Sequence, residues 1–216
     1  MGPVRPKYVQ IVPFEECCRV QYSFLLETDE VVATKDIAAD TWIDTSSPIW
    51  DFSSSVCYSD YTRWRDELVK SFNRYAEQSE SVVAYSNTLS PQFHPPMTRD
   101  FWIEQMWLTN SWRSMLTSTR AVVSVVNGSK FNHSCDANLF VYVDHTQLRC
   151  RTTRNIRAGE SLTVSYLGNK MRETTLDDRR RALINWHFKC TCDRCEVEET
   201  VMDMISELEQ FEQMHL

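Results

Sequence analysis

Apolar positions along this chain change their period several times, and the changes divide it. Residues 21–26, 31–34 and 41–44 are short apolar-rich runs separated by polar turns, which predicts short strands. From Tyr61 the steps become three and four. Tyr61, Trp64, Leu68, Phe72 and Tyr75 share one face while Arg63, Asp66, Lys70 and Asn73 occupy others, the signature of an amphipathic helix. Residues 86–96 read as a proline-containing loop. Thr98 is a good N-cap for a second helix running through Phe101, Trp102, Met106, Trp107, Trp112 and Leu116. Aromatic stripes of this kind are expected in a core. Strands return at 121–126, 139–143, 147–153 and 162–165. A basic helix over 177–186 turns Leu183 inward, and Val201, Met204, Ile205, Leu208 and Phe211 mark one apolar face of a last, acidic helix.

Composition sharpens this picture in three places. The chain has 216 residues, 42% of them hydrophobic, enough for one domain with a real core and small appendages. It contains no apolar run of about 18 residues, and residues 1–20 lack the apolar centre of a signal peptide, so no membrane partner is expected. Pro6 stands where a myristoylation signal needs Ser or Thr. The net charge of −7 belongs to the tail: from Glu196 onward there are seven carboxylates and no Lys or Arg, which leaves 23 charges of each sign before it. A neutral body argues against direct nucleic-acid binding, which depends on a basic face.

Eight cysteines without a secretory signal suggest metal ligands and buried thiols, and a cytoplasmic and/or nuclear setting. Cys190, Cys192 and Cys195 form a C-x-C-x-x-C knuckle, which offers three soft donors from one tight loop to a tetrahedral zinc. The natural fourth donor is Cys135, in Asn132-His133-Ser134-Cys135. Cys17, Cys18, Cys57 and Cys150 read as plain thiols, and His94, His145 and His215 as surface histidines.

Between the two cysteine segments lies Ala158-Gly159-Glu160-Ser161-Leu162-Thr163-Val164-Ser165-Tyr166. In this order, the three segments resemble the second half of a SET-domain protein-lysine methyltransferase of the SET-and-MYND kind. Ala33, Thr34, Asp36, Ile37, Thr41 and Ile43 fit the opening of such a domain, and 132–138 resembles its Asn-His-Ser-Cys-x-Pro-Asn turn, with Ala137 at the proline. The resemblance covers residues 21–195 and extends neither to a MYND module nor to most of a C-terminal helical domain.

The resemblance implies an α+β fold of several small sheets with an inserted helical segment and a zinc-binding post-SET segment. It divides the chain into an N-terminal extension (1–20), the N-terminal part of the SET domain (21–56), a helical insert (57–118), the core motifs (119–170), the post-SET zinc segment (171–195) and an acidic amphipathic helix (196–216). The function implied is methyl transfer from S-adenosyl-L-methionine to a lysine of a protein substrate, histone or non-histone. Asn132, His133, Tyr166 and Phe188 would bind the cofactor, Tyr166 would be catalytic, and Cys135, Cys190, Cys192 and Cys195 would hold one structural Zn(2+).

Two departures carry consequences. Thr28 and Glu30 occupy the positions of the family's Gly-x-Gly turn, where side chains are expected to crowd the cofactor. Trp186 replaces a tyrosine before the knuckle, keeping an aromatic wall without its hydroxyl. A catalytically weak SET scaffold that acts as a protein-interaction module is the alternative, and the acidic helix is a candidate surface for a partner.

Overall fold

The computed structural model describes residues 11–45, 50–54, 56, 59–78, 98–113, 120–123, 127–144, 147–168, 173–186 and 188–214. The expected loop at 86–96, Leu116, residues 124–126, Cys57, His94, His145 and His215 lie outside the described residues. In chain order the strands are β1 (Ile11–Pro13), β2 (Cys18–Ser23), β3 (Thr28–Ala33), β4 (Trp42–Asp44), β5 (Trp50–Ser53), β6 (Ser111–Arg113), β7 (Arg120–Val123), β8 (Asn132–His133), β9 (Leu139–Asp144), β10 (Gln147–Thr152) and β11 (Ser161–Val164). The helices are α1 (Phe14–Cys17), α2 (Tyr61–Gln78), α3 (Arg99–Asn110), α4 (Leu176–Leu183) and α5 (Asp193–Met214).

The strands make three small sheets, ordered β1-β4-β10-β9, β2-β3-β11-β8 and β5-β7-β6. The architecture is α+β, as expected. The first two sheets enclose one core, built from period-two positions such as Val31, Ile43, Leu139, Cys150, Leu162 and Val164. An antiparallel bridge between Ile37 and Ile156 ties them together at their edges. The third sheet and helices α2 and α3 bury a second core of Trp50, Phe52, Trp64, Leu68, Phe72, Ile103, Met106 and Trp107. The aromatic stripe of α2 is therefore packing surface. Glu104, 2% exposed inside this cluster, is satisfied by Arg65 at 3.1 Å and by the hydroxyl of Tyr61.

Four boundaries differ from the sequence pattern, each for a physical reason. The strand expected at 21–26 lies at 18–23, because Phe24, Leu25 and Leu26 form the tip of the β2–β3 hairpin, where Glu27 takes a φ of 53°. Phe24 and Leu25 are 89% and 91% exposed there. Residues 11–13 and 18–20 belong to the sheets, with β1 paired to β4, and Phe14 and Cys17 of α1 between them enter the core. Helix α3 stops at Asn110 because Ser111 turns extended and Trp112 joins β6 beside β7, a change that no glycine or proline announces. The basic helix is α-helical only over Leu176–Leu183, and Ile184–Trp186 tighten into a 3₁₀ turn. Among the described residues, no helix is long and apolar enough to cross a membrane.

Candidate active site and cysteine cluster

The site begins with two residues per strand. Strands β8 and β11 run parallel, with Asn132 beside Thr163 and His133 beside Val164. So short a pairing needs reinforcement, and one further backbone bond and several side chains supply it. The Ser134 N–H donates to the Val164 carbonyl at 3.1 Å, and the Tyr166 N–H donates to His133 Nδ1 at 3.0 Å. The Tyr166 hydroxyl donates to the Phe131 carbonyl at 2.8 Å, closing the ladder from the far side. Asn138, 2% exposed, donates through Nδ2 to the Ser161 carbonyl at 2.8 Å and accepts from the Thr163 N–H, also at 2.8 Å. An amide side chain carries its donor and its acceptor on separate atoms and so can do both at once.

Asn132 looks the other way. Its Nδ2 donates to the Asp29 carbonyl at 3.0 Å, while Lys130 pairs with the Asp29 carboxylate at 2.8 Å. These contacts fasten the β2–β3 hairpin over the β8 segment. Thr28 and Glu30 both lie in β3, and neither has the positive φ that glycine would favour. The Glu30 carboxylate is held against the sheet by Ser161 Oγ at 2.5 Å and Gln21 Nε2 at 3.1 Å. The turn that sequence comparison marks as crowded thus carries a tethered side chain.

Beyond Tyr166 the chain reaches the knuckle. The sulfurs of Cys135, Cys190, Cys192 and Cys195 all lie within 4.8 Å of one another. Cys135 Sγ is 3.5 Å from Cys195 Sγ and 3.9 Å from Cys190 Sγ. The edge of a tetrahedron with zinc–sulfur bonds of about 2.3 Å is about 3.8 Å, so the donor set fits that ion. Thiols this close cannot ionise independently. Hydrogen bonds from Cys135 and Cys190 pull Cys192 down, while bonding to Cys190 and Cys192 pushes Cys135 up. A divalent cation removes the conflict by taking the place of the protons.

Two groups flank the sulfurs. His133 Nε2 lies 3.3 Å from Cys135 Sγ. Burial lowers the His133 pKa to about 4, in keeping with a neutral ring that accepts at Nδ1. Arg179, 1% exposed, places Nη2 3.8 Å from Cys195 Sγ and 2.6 Å from Glu198, with Nη1 2.6 Å from the Thr174 carbonyl. Its position in the run Arg179-Arg180-Arg181 gives no hint of this, since the sequence reads there as a solvated basic face.

Tyr166 and Trp186 stand 5.6 Å apart between ring centres, and both line two cavities. One, of about 390 Å³, is walled by Leu108, Trp112, Val141, Tyr166 and Trp186. The other, of about 1000 Å³, is bounded by Glu30, Asn132, His133, Tyr166 and Phe188. Phe188, 38% exposed, has its ring 6.0 Å from that of His133. All eight residues named from sequence therefore meet here: four sulfurs in one cluster, and Asn132, His133, Tyr166 and Phe188 around the larger cavity. Sequence reading missed Asn138, Arg179 and Trp112.

A family model described as the SET domain matches residues 30–167. The chain belongs to the SET-domain family. Among curated proteins, this SET domain is 39% identical over 83 residues to the histone-lysine N-methyltransferase SMYD3 of Mus musculus, covering 38% of this chain and 19% of that protein. It is 43% identical over 84 residues to the histone-lysine N-methyltransferase SET5 of Yarrowia lipolytica, covering 37% and 18%. The chain thus spans about a fifth of the length of the relatives it matches. A solved structure of a humanized mutant of the Chaetomium thermophilum Polycomb Repressive Complex 2 overlays at a TM-score of 0.39 and 16% identity, covering 76% of this chain and 16% of that one.

Proposed function

We propose that this SET domain transfers a methyl group from S-adenosyl-L-methionine to the side-chain amine of a protein lysine. The observation that carries the reading is the pair of cavities that share Tyr166 and Trp186 as a common wall. In this reading the larger cavity takes the cofactor and the smaller, aromatic-walled one takes the lysine, so that the two reactants meet at the wall of Tyr166 and Trp186. When bound, the cofactor supplies an electrophilic methyl on a sulfonium.

The chain's own residues do the rest. Tyr166, Trp186 and Trp112 form an aromatic wall that excludes water and faces the positive charge the amine gains as it takes the methyl. A dry channel also favours the uncharged amine that the displacement requires. With its hydroxyl fixed on the Phe131 carbonyl, Tyr166 keeps oxygen lone pairs to orient the amine for in-line attack. Asn132 and His133 form the polar side of the cofactor cavity, and Phe188 covers it from the knuckle. Cys135, Cys190, Cys192 and Cys195 hold one structural zinc, which leaves no open position for chemistry. The substrate is a protein with an accessible lysine, histone or non-histone.

The test is calorimetry of cofactor binding to the zinc-loaded chain, followed by transfer of labelled methyl to a broad lysine-containing peptide mixture. Cofactor binding with label on lysine is expected. Saturating cofactor with no transfer to any protein or peptide would overturn the enzymatic reading and leave a scaffold.

A further inference from the structure

Helix α5 has two different halves. Its start is built into the domain: Cys195 is 0% exposed in the sulfur cluster, Glu198 pairs with Arg179, and Glu199 pairs with Arg180 and Lys189. From Val201 to Met214 every residue is exposed. Along this length Val197, Val201, Met204 and Leu208 follow steps of four, three and four, and Phe211 continues them. Steps of three and four of this kind make a seam that a second helix can pack against, widened on one side by Ile205. These four seam residues are 49–63% exposed, Val201 least and Val197 and Leu208 most. Ile205, beside the seam, is 50% exposed.

The flanks identify what fits. Glu207 and Glu212 border the seam and Asp203 and Glu209 lie farther round the helix; none of the four makes an ion pair among the described residues, and no Lys or Arg follows Arg194. A second copy of the helix is a poor occupant. Parallel pairing sets Glu207 against Glu212 of the second copy, and antiparallel pairing centred on Glu207 sets it against its own counterpart. A seam bordered by one sign of charge selects a helix bordered by the other.

We propose that residues 197–214 of α5 are a docking surface for an amphipathic helix of a partner protein, with apolar residues at its own seam and Lys or Arg on either side. The surface is independent of methyl transfer. The cysteine cluster and the Arg179 and Arg180 pairs fix its direction relative to the two cavities.

The test uses a synthetic peptide of about four heptads with Leu at the seam and Lys beside it, against a twin carrying Glu in place of Lys. Binding to the metal-loaded chain is measured by calorimetry at low and high salt, with the chain's own association followed by sedimentation velocity. The Lys peptide is expected to bind one to one and more weakly at high salt, and the Glu twin is expected not to bind. Leu208→Asp and Met204→Asp, both on exposed positions, should each weaken the Lys peptide by about tenfold or more with unchanged metal content and melting temperature. Four results would overturn the proposal: no binding of the Lys peptide at concentrations on the order of 100 μM, equal binding of the Glu twin, binding untouched by both substitutions, or self-association of the chain through this seam.

Discussion

The backbone N–H of Tyr166 donates to Nδ1 of His133 at 3.0 Å, which puts the ring's own proton on Nε2, 3.3 Å from Cys135 Sγ. One imidazole therefore joins the wall of both cavities to the sulfur cluster. The protonation state is dictated by the donor, since an amide N–H can only be accepted by an unprotonated ring nitrogen.

That link predicts that metal and cofactor binding rise and fall together. Chelating the metal should lower S-adenosyl-L-methionine affinity by about tenfold or more, and adding zinc back should restore it. Calorimetry on the stripped and reloaded chain, with metal content measured in parallel, is the check. Equal affinity in both states would break the coupling.

Tyr166→Phe should reduce methyl transfer by about 100-fold or more, the scale of a lost positioning contact. It also removes the donor to the Phe131 carbonyl, so a stability loss of about 1 kcal/mol is expected, or a melting shift of about 2–4 °C. Burial raises the Tyr166 pKa to about 12. The folded state therefore holds this proton more tightly than the unfolded state does. Its contribution to stability is fully present below an unfolded pKa of about 10 and is lost as pH rises from there toward 12. Wild-type stability should fall across that alkaline window more steeply than that of Tyr166→Phe, measured by denaturant titration.

The Glu30 tether gives an expectation opposite to simple crowding. Ser161→Ala releases the carboxylate from its 2.5 Å hydrogen bond, and the freed side chain can swing into the larger cavity. Cofactor affinity should drop by about threefold to tenfold, roughly the worth of one such bond. Adding Glu30→Gly to Ser161→Ala should recover most of it. If Glu30→Gly alone tightens binding, the wild-type carboxylate is obstructing after all.

Arg179→Met keeps the stem and removes a guanidinium that sits among sulfurs and Glu198 with almost no water. Glu198, 32% exposed, keeps its pair with Arg194, so the loss is that of charged hydrogen bonds, about 1.5–3 kcal/mol. The variant should melt lower and release metal at a lower chelator concentration, whereas Arg181→Met, on the exposed side of α4, should do neither. Thermal denaturation and a competitive chelator titration separate the two outcomes.

The legible parts of this protein were those whose chemistry constrains spacing. Three cysteines in a knuckle can do few things at that interval, and the stripe of α2 can bury only one face. The Asn132–Cys135 and Gly159–Tyr166 segments carried the family resemblance. What escaped was set by tertiary contact. Strand β8 is two residues long and has no period to read. Arg179 differs from Arg181 only in which side of α4 it leaves from, and Glu104 is a charged residue that two distant partners make tolerable in a core. Thr28 and Glu30 showed the converse: their types were read as obstacles, but the outcome for Glu30 rests on Ser161, 131 residues away.

Cys135 and Cys195 are 60 residues apart in sequence and 3.5 Å apart at sulfur. A metal that joins them closes a ring containing β9, β10, β11 and Tyr166, and so acts on the chain as a cross-link would. In the chain-entropy treatment of such rings, a closure of that length disfavours the unfolded ensemble by about 4 kcal/mol. Strands on opposite sides of that ring are then held to a common fate: without the ion they are free to open singly, and resistance to proteolysis across the whole segment becomes a readout of metal supply.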